Sequence, residues 1–402
     1  MKIQATKIKE VLFYLLAFVL PCFIYGAPIV ILLYIITWLV EGNLKAKIIV
    51  ALRNKYVLLF CSFYLLHLIG LLYTSNFDEG WFDLEVKLSL FIFPIMLVSE
   101  GEMPFDKQKK FILLFLTGLI CNGCVCIGYA LWRLWEQHIY IFQYKLFSLF
   151  MHPSYYSMYI DMALVMMFYL FTCKEELNEL ENIFLCVAIF FLEFMLVLLQ
   201  SKTGLIVSSL VLIVLLAKYT LKTRKWMNTF ALVIGLYGVY YVTNRYVITS
   251  NNSRIASAED NLSKGKPDAN TTESSQVRIL VWQSAWKVIK QNPVIGVGTG
   301  NVSNVLLGEY AKDGVEGALR EKLNAHDQYI QTTLALGAIG LLLLLTNLLV
   351  PLYKSVKEHR FVYTMFILIL MVNFLTESMF QTQGGTMYYG LFNSLFMFNF
   401  VI

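Results

Sequence analysis

A chain of 402 residues that is 58% hydrophobic and only 15% charged is not a soluble globular protein, which carries about 45–50% apolar and about 25% charged residues. The same balance excludes a secreted disulfide scaffold, a disordered regulator and a cytosolic enzyme, and it defines an integral membrane protein. A net charge of +5 says little as a sum and implies no nucleic-acid partner; the placement of the cations says more.

A hydrocarbon core about 30 Å thick takes about 20 mostly apolar residues in helix, and about twelve such runs follow one another here. They centre near 10–25, 27–41, 56–73, 86–99, 110–132, 154–173, 182–200, 203–218, 226–247, 328–353, 361–376 and 385–401. Met1 to Ala27 has the cations and apolar stretch of a signal peptide. Pro28 and the apolar run that follows at once instead predict an uncleaved helical hairpin, turned at Tyr25-Gly26-Ala27-Pro28. The fold class expected is therefore an all-α polytopic membrane protein.

Cytoplasmic loops are enriched in Lys and Arg. Alternate connections carry Lys2/Lys7/Lys9, Lys45/Lys47/Arg53/Lys55, Lys107/Lys109/Lys110, Lys174, Lys218/Lys222/Arg224/Lys225 and Lys354/Lys357/Arg360. The intervening short ones hold only Lys87, Arg133, Lys145 and Lys202. Both termini are thus expected in the cytoplasm. The acidic connection 173–182 departs from the rule; the other five inner loops keep it.

One connection is long, from about Ile248 to Ala325, and it faces outward. Asn251 to Gln276 is polar and reads as flexible. Val277 to Gln291 places Ile279, Leu280, Trp282, Trp286 and Ile289 near helical spacing, which predicts an amphipathic helix at the membrane surface. The expected organisation is nine transmembrane helices over 1–247, a large outer loop over 248–325, and three transmembrane helices over 326–402.

Seven cysteines fall almost wholly inside apolar runs, where Cys acts as a small apolar residue. Cys121-x-x-Cys124-x-Cys126 has a metal-like spacing, but no His or carboxylate shares its run. Zinc sites collect four ligands, so no metal and no cofactor are expected. Gly296-x-Gly298-x-Gly300 lacks the preceding strand of a dinucleotide loop. It reads as a tight turn, or as a backbone brought close to a ligand.

Few polar residues remain that suggest chemistry. His326 stands in Asn324-Ala325-His326-Asp327-Gln328-Tyr329, where the long loop re-enters the membrane. Asn324 or Asp327 could serve only as a helix cap there, while a neutral imidazole could take a proton from a hydroxyl. Lys202 is the lone cation of the outward turn Gln200-Ser201-Lys202-Thr203-Gly204; it either snorkels to the interface or meets an anionic ligand. Arg278 opens the amphipathic helix beside Trp282 and Trp286, as a surface cation or as a bidentate phosphate contact. His67 and His359 read as structural, and His152 stays open. Asp161, Glu193 and Glu377 lie within or at the ends of spans, where ionisable groups are costly and usually paired or functional; they keep proton-coupled transport as an alternative.

Taken in order, Ser201-Lys202-Thr203-Gly204, Arg278-x-x-x-Trp282 with Trp286 and Pro293, Gly296-Val297-Gly298-x-Gly300-Asn301, and Asn324-Ala325-His326-Asp327-Gln328-Tyr329 leading into Leu336-Gly337-Ala338-Ile339-Gly340-Leu341 resemble the bacterial O-antigen ligase/polymerase superfamily. The likeness covers roughly 200–345. It implies a metal-independent glycosyltransferase of the membrane C type (GT-C) in the inner membrane, its long loop periplasmic. The implied donor is a glycan on undecaprenyl diphosphate, and the acceptor is lipid A–core or another glycan or protein. By matching motif, Arg278 and Lys202 are implied to bind diphosphate and His326 to serve the acceptor hydroxyl. Asp327, Asn324, Trp282, Gly298, Gly300, Asn301 and Tyr329 are implied to line the substrate. Two positions depart from the family pattern, which commonly has Arg where this chain has Lys202 and Asn where it has Asp327. One large outer loop favours a ligase over a polymerase or a protein O-oligosaccharyltransferase; a transporter or flippase is the alternative of another class.

Overall fold

A computed structural model describes residues 2–142, 144–173, 177–224, 226–246, 268–272 and 274–400. Most of the stretch read as flexible, 251–276, lies outside the described residues, as do Lys174, Lys225 and Arg254. Within them the fold is helical throughout, without strands. In chain order the helices are α1 (Lys2–Cys22), α2 (Ala27–Val40), α3 (Leu44–Arg53), α4 (Lys55–Gly70), α5 (Phe77–Leu97), α6 (Phe105–Gln137), α7 (Tyr144–Phe147), α8 (Pro153–Thr172) and α9 (Glu179–Leu199). There follow α10 (Lys202–Thr223), α11 (Trp226–Tyr246), α12 (Ser274–Gln291), α13 (Val302–Asp313), α14 (Glu316–Arg320), α15 (Gln328–Lys357), α16 (Phe361–Phe374) and α17 (Gln383–Phe398).

Every apolar run read from the sequence coincides with one of these helices. Lys55–Tyr73, Phe105–Gln137, Glu179–Leu199, Lys202–Lys222 and Gln328–Lys357 are long and apolar enough to cross a bilayer by themselves. A sixth is gained if Ile24–Val40 and Leu44–Arg53 count as one broken span. This is a multi-pass, all-α membrane protein. Its helix starts follow local chemistry. Asn178 and Glu181 form a capping box at α9, and the Ser201 hydroxyl accepts from Gly204 N at 3.2 Å at the start of α10. Each cap satisfies an N–H that has no partner within its own helix.

Packing groups the helices into two compact units, 1–44 with 103–256, and 45–102 with 257–402. In the first unit α1 lies against α2 and α6, and α8 against α6, α9 and α10. Lys9 on α1 meets Glu41 after α2 at 2.7 Å, so the N-terminal pair is the hairpin expected. Asn122 on α6 donates to Pro21 O at 2.8 Å, a carbonyl near the end of α1.

In the second unit α5 packs on α17 and α4, and α15 on α16, α4 and α12. Arg360, buried before α16, donates to Phe400 O at 2.9 Å and to Phe396 O, so a cation neutralises carbonyls at the end of α17. The 274–325 segment forms its own small core on α15, from Val277, Val281, Ala285 and Val288 of α12, Leu306 and Tyr310 of α13, and Leu334 and Leu336. The buried face of α12 is therefore its valine stripe. Ile279 and Trp286, read from sequence as part of one apolar face, are exposed.

A break in α15 holds this segment in place. Gly337 has φ 62° and ψ −158°, a conformation essentially restricted to glycine. Ala338 N and Ile339 N turn away to Pro293 O (2.9 Å) and Val294 O (3.3 Å), and the freed carbonyls of Leu334 and Ala335 accept instead from Val297 N (2.8 Å) and Gly298 N (3.0 Å). These four backbone groups at the break thus keep hydrogen-bond partners. Beyond the break, Asn301 Oδ1 accepts from Ser75 N at 3.0 Å and Asn76 N at 3.1 Å.

Candidate active site

Three elements of the second unit converge: the first turns of α12, the turn Asn324–Asp327 before α15, and the turn between α16 and α17. Arg278 comes from α12. Its Nη2 lies 3.3 Å from Glu377 Oε1, with the two side chains 19% and 9% exposed. The other carboxylate oxygen of Glu377, Oε2, lies 3.5 Å from His326 Nδ1. One carboxylate therefore joins the two residues that the sequence singled out.

The turn that carries His326 is fixed by several hydrogen bonds. Asn324 Oδ1 accepts from His326 N at 2.9 Å. Ala325 N donates to Gln331 Oε1 at 3.1 Å, and Ala325 O accepts from Trp282 Nε1 at 2.9 Å. Asp327 N donates to Ser378 Oγ at 3.1 Å, which ties the turn to the residue after Glu377. His326 itself has φ 47°, a left-handed conformation that a non-glycine residue holds only when its surroundings over-determine it.

Asp327 caps α15, its Oδ1 accepting from Ile330 N at 2.8 Å. Burial pushes its carboxyl up to about 6, against the opposing pull of the Ile330 and Tyr329 N–H groups and of Arg278. Tyr329 points elsewhere, its hydroxyl donating to Met371 O at 3.1 Å. Gly298, Gly300 and Asn301 serve the docking of the loop; a Cβ on Gly300 would stand 2.0 Å from Asn76 O. Gly296 and Gly298 hold positive φ of 69° and 95°, as a tight turn requires, and the backbone they bring close is the chain's own. Lys202 belongs to the other unit, where it is half-buried as the first residue of α10.

Three residues take places that the sequence did not give them. Glu377 was grouped with other intramembrane acids. Lys87, read as lying in an outer connection, is inside α5 and wholly buried; it pairs with Asp83, which also lies 3.4 Å from His67 Nδ1 and accepts from Gln381 Nε2 at 3.3 Å. The reason is geometric: Asp83 stands one turn before Lys87 on the same helix, so the pair can be buried together. His152, left open, caps α8 by accepting from Ser154 N at 3.4 Å. Among the described residues no group of three or more His, Cys, Asp or Glu is arranged to hold a metal ion.

A helical membrane protein with an Arg–Glu–His cluster beside a helix-capping turn is the class that fold and site define. A family model described as O-Antigen ligase matches residues 185–345, under half of the chain, so that stretch is similar to the O-antigen ligase family. The matched stretch contains Lys202, Arg278 and His326 but ends before Glu377. No curated protein matches the chain.

Proposed function

We propose that this chain is an O-antigen ligase of the GT-C type, with about twelve spans in the bacterial inner membrane. It transfers a glycan from undecaprenyl diphosphate to lipid A–core at the periplasmic face. The observation that carries the reading is the Glu377 carboxylate shared by Arg278 and His326. A carboxylate can only accept, so it holds the proton of the imidazole on Nδ1 and leaves Nε2 as the base.

In the proposed reaction His326 Nε2 takes the proton of the acceptor hydroxyl as its oxygen attacks the anomeric carbon. The bond from that carbon to the diphosphate oxygen breaks, and the electron pair leaves with the lipid diphosphate. Arg278 meets the charge that develops on the leaving group. Lipid diphosphate is a good leaving group, so fixed cations account for most of the assistance needed. A positioned base adds about 10²–10⁴-fold. Direct displacement inverts the anomeric centre.

Deleting the gene and separating lipopolysaccharide by electrophoresis tests the acceptor. Core-only molecules are expected. Core carrying a single repeat would make the chain a polymerase, and unchanged lipopolysaccharide with loss of a glycoprotein would make it a protein ligase.

A further inference from the structure

The first unit holds a second group of ionisable residues, unrelated to the transfer site. Asp161 on α8 is fully buried, and neither carboxylate oxygen has a hydrogen-bond partner. Glu193 on α9 has one buried oxygen, Oε1, that is equally without one. Ser208 on α10 is 3% exposed and stands beside both carboxyl groups, yet its hydroxyl is not bonded to either. Glu193 and Ser208 line an open cavity of about 580 Å³, whose wall Tyr237 and Tyr240 of α11 complete. Among the described residues no Lys, Arg or His lines it.

Two carboxyls inside a bilayer are costly to keep ionised and unpaired. Neither carboxyl bonds the other, and the described residues that line the cavity bring no cation to them. Oxygen ligands alone select a hard cation over zinc or copper. A calcium ion takes about six to eight oxygens, and no third His, Cys, Asp or Glu among the described residues joins this pair. We propose that Asp161, Glu193 and Ser208 form an intramembrane site for one monovalent cation, sodium or potassium. Asp161, the more deeply buried of the two, keeps its proton and Glu193 gives its proton up, so the loaded site is neutral. The site stands apart from the transferase reading and holds whether or not that reading survives.

Dicyclohexylcarbodiimide tests it on the purified full chain in detergent. The reagent adds across the O–H of a protonated carboxyl, and the adduct keeps every atom of both, so mass spectrometry reads it directly. An adduct on Glu193 is expected at mildly acid pH. It should be suppressed by sodium or potassium chloride, because a bound cation requires a deprotonated ligand, and not by N-methylglucamine chloride at equal ionic strength. The same salt should raise the thermal unfolding temperature of the wild type but not of Glu193→Gln or Asp161→Asn. Labelling that ignores both alkali cations, suppression only by magnesium or calcium, or no adduct at any pH would each overturn the proposal. If the variants do not fold, labelling of the wild type still decides.

Discussion

Replacing Glu377 by Gln keeps the shape of the side chain and removes the charge that Arg278 and His326 share. At the 3.3 Å separation of Arg278 and Glu377, the attraction is about 5 kcal/mol at an effective dielectric of about 20. Arg278 keeps some contact with water, being 19% exposed. Gln can also still accept one hydrogen bond. The net loss of stability should therefore be about 1–3 kcal/mol, below the cost of leaving a buried charge wholly unpaired. Activity should suffer more. A neutral amide no longer dictates which imidazole nitrogen carries the proton, and about 10²–10⁴-fold of base catalysis depends on that choice. The assay is glycan transfer by the purified variant, with thermal unfolding as the control for folding. Glu377→Asp, with its shorter reach, should fall between Gln and wild type. Wild-type kcat in a folded Glu377→Gln variant would refute the role given to this carboxylate.

Asp327 titrates at about 6 in the fold against 3.8 for an ordinary Asp, so the folded chain binds this proton more tightly than the unfolded one. Stability from this group is full below about pH 4, is lost as pH rises to about 6, and is flat above. Asp327→Asn keeps the cap and should flatten that part of a melting-temperature profile; an unchanged profile would contradict the assignment. Gly300→Ala puts a Cβ 2.0 Å from Asn76 O, whereas Gly308→Ala, on α13, meets nothing within 4 Å. The first should unfold at markedly lower temperature, and the second should be neutral or more stable by about 1 kcal/mol; similar melting of the two would contradict the docking described. Trp282→Phe removes the bond to Ala325 O, for about 1 kcal/mol. It should lower transfer only in part, and total loss in a folded variant would give the indole a direct part in substrate binding.

The helices were legible because apolar runs near twenty residues have few other uses, and the N-terminal hairpin because Pro28 cannot continue a helix that ends before it. Arg278 and His326 were legible through the motifs that carry them; residues 248–325 hold eight further Lys and Arg, so charge alone did not single Arg278 out. Glu377 was not legible. It lies 51 residues from His326 and 99 from Arg278, and periodicity carries no information about a contact between separate turns. The valine stripe of α12 was not legible beside its bulkier residues: the surface that meets α15 is narrow and takes valines and Ala285, while Ile279 and Trp286 stay exposed. The glycines of 296–300 and Gly337 announced special backbone, but only the paired geometry shows that a broken helix and a loop exchange hydrogen bonds.

The central claim is that a metal-independent transfer of glycan from a lipid diphosphate depends on Arg278 and His326. Purified protein, a lipid-diphosphate-linked glycan and lipid A–core should give the joined product with inverted anomeric configuration, unaffected by EDTA. Arg278→Ala and His326→Ala should each abolish it while still folding. Full transfer by either variant, or a product that retains the configuration of the donor, would contradict the account.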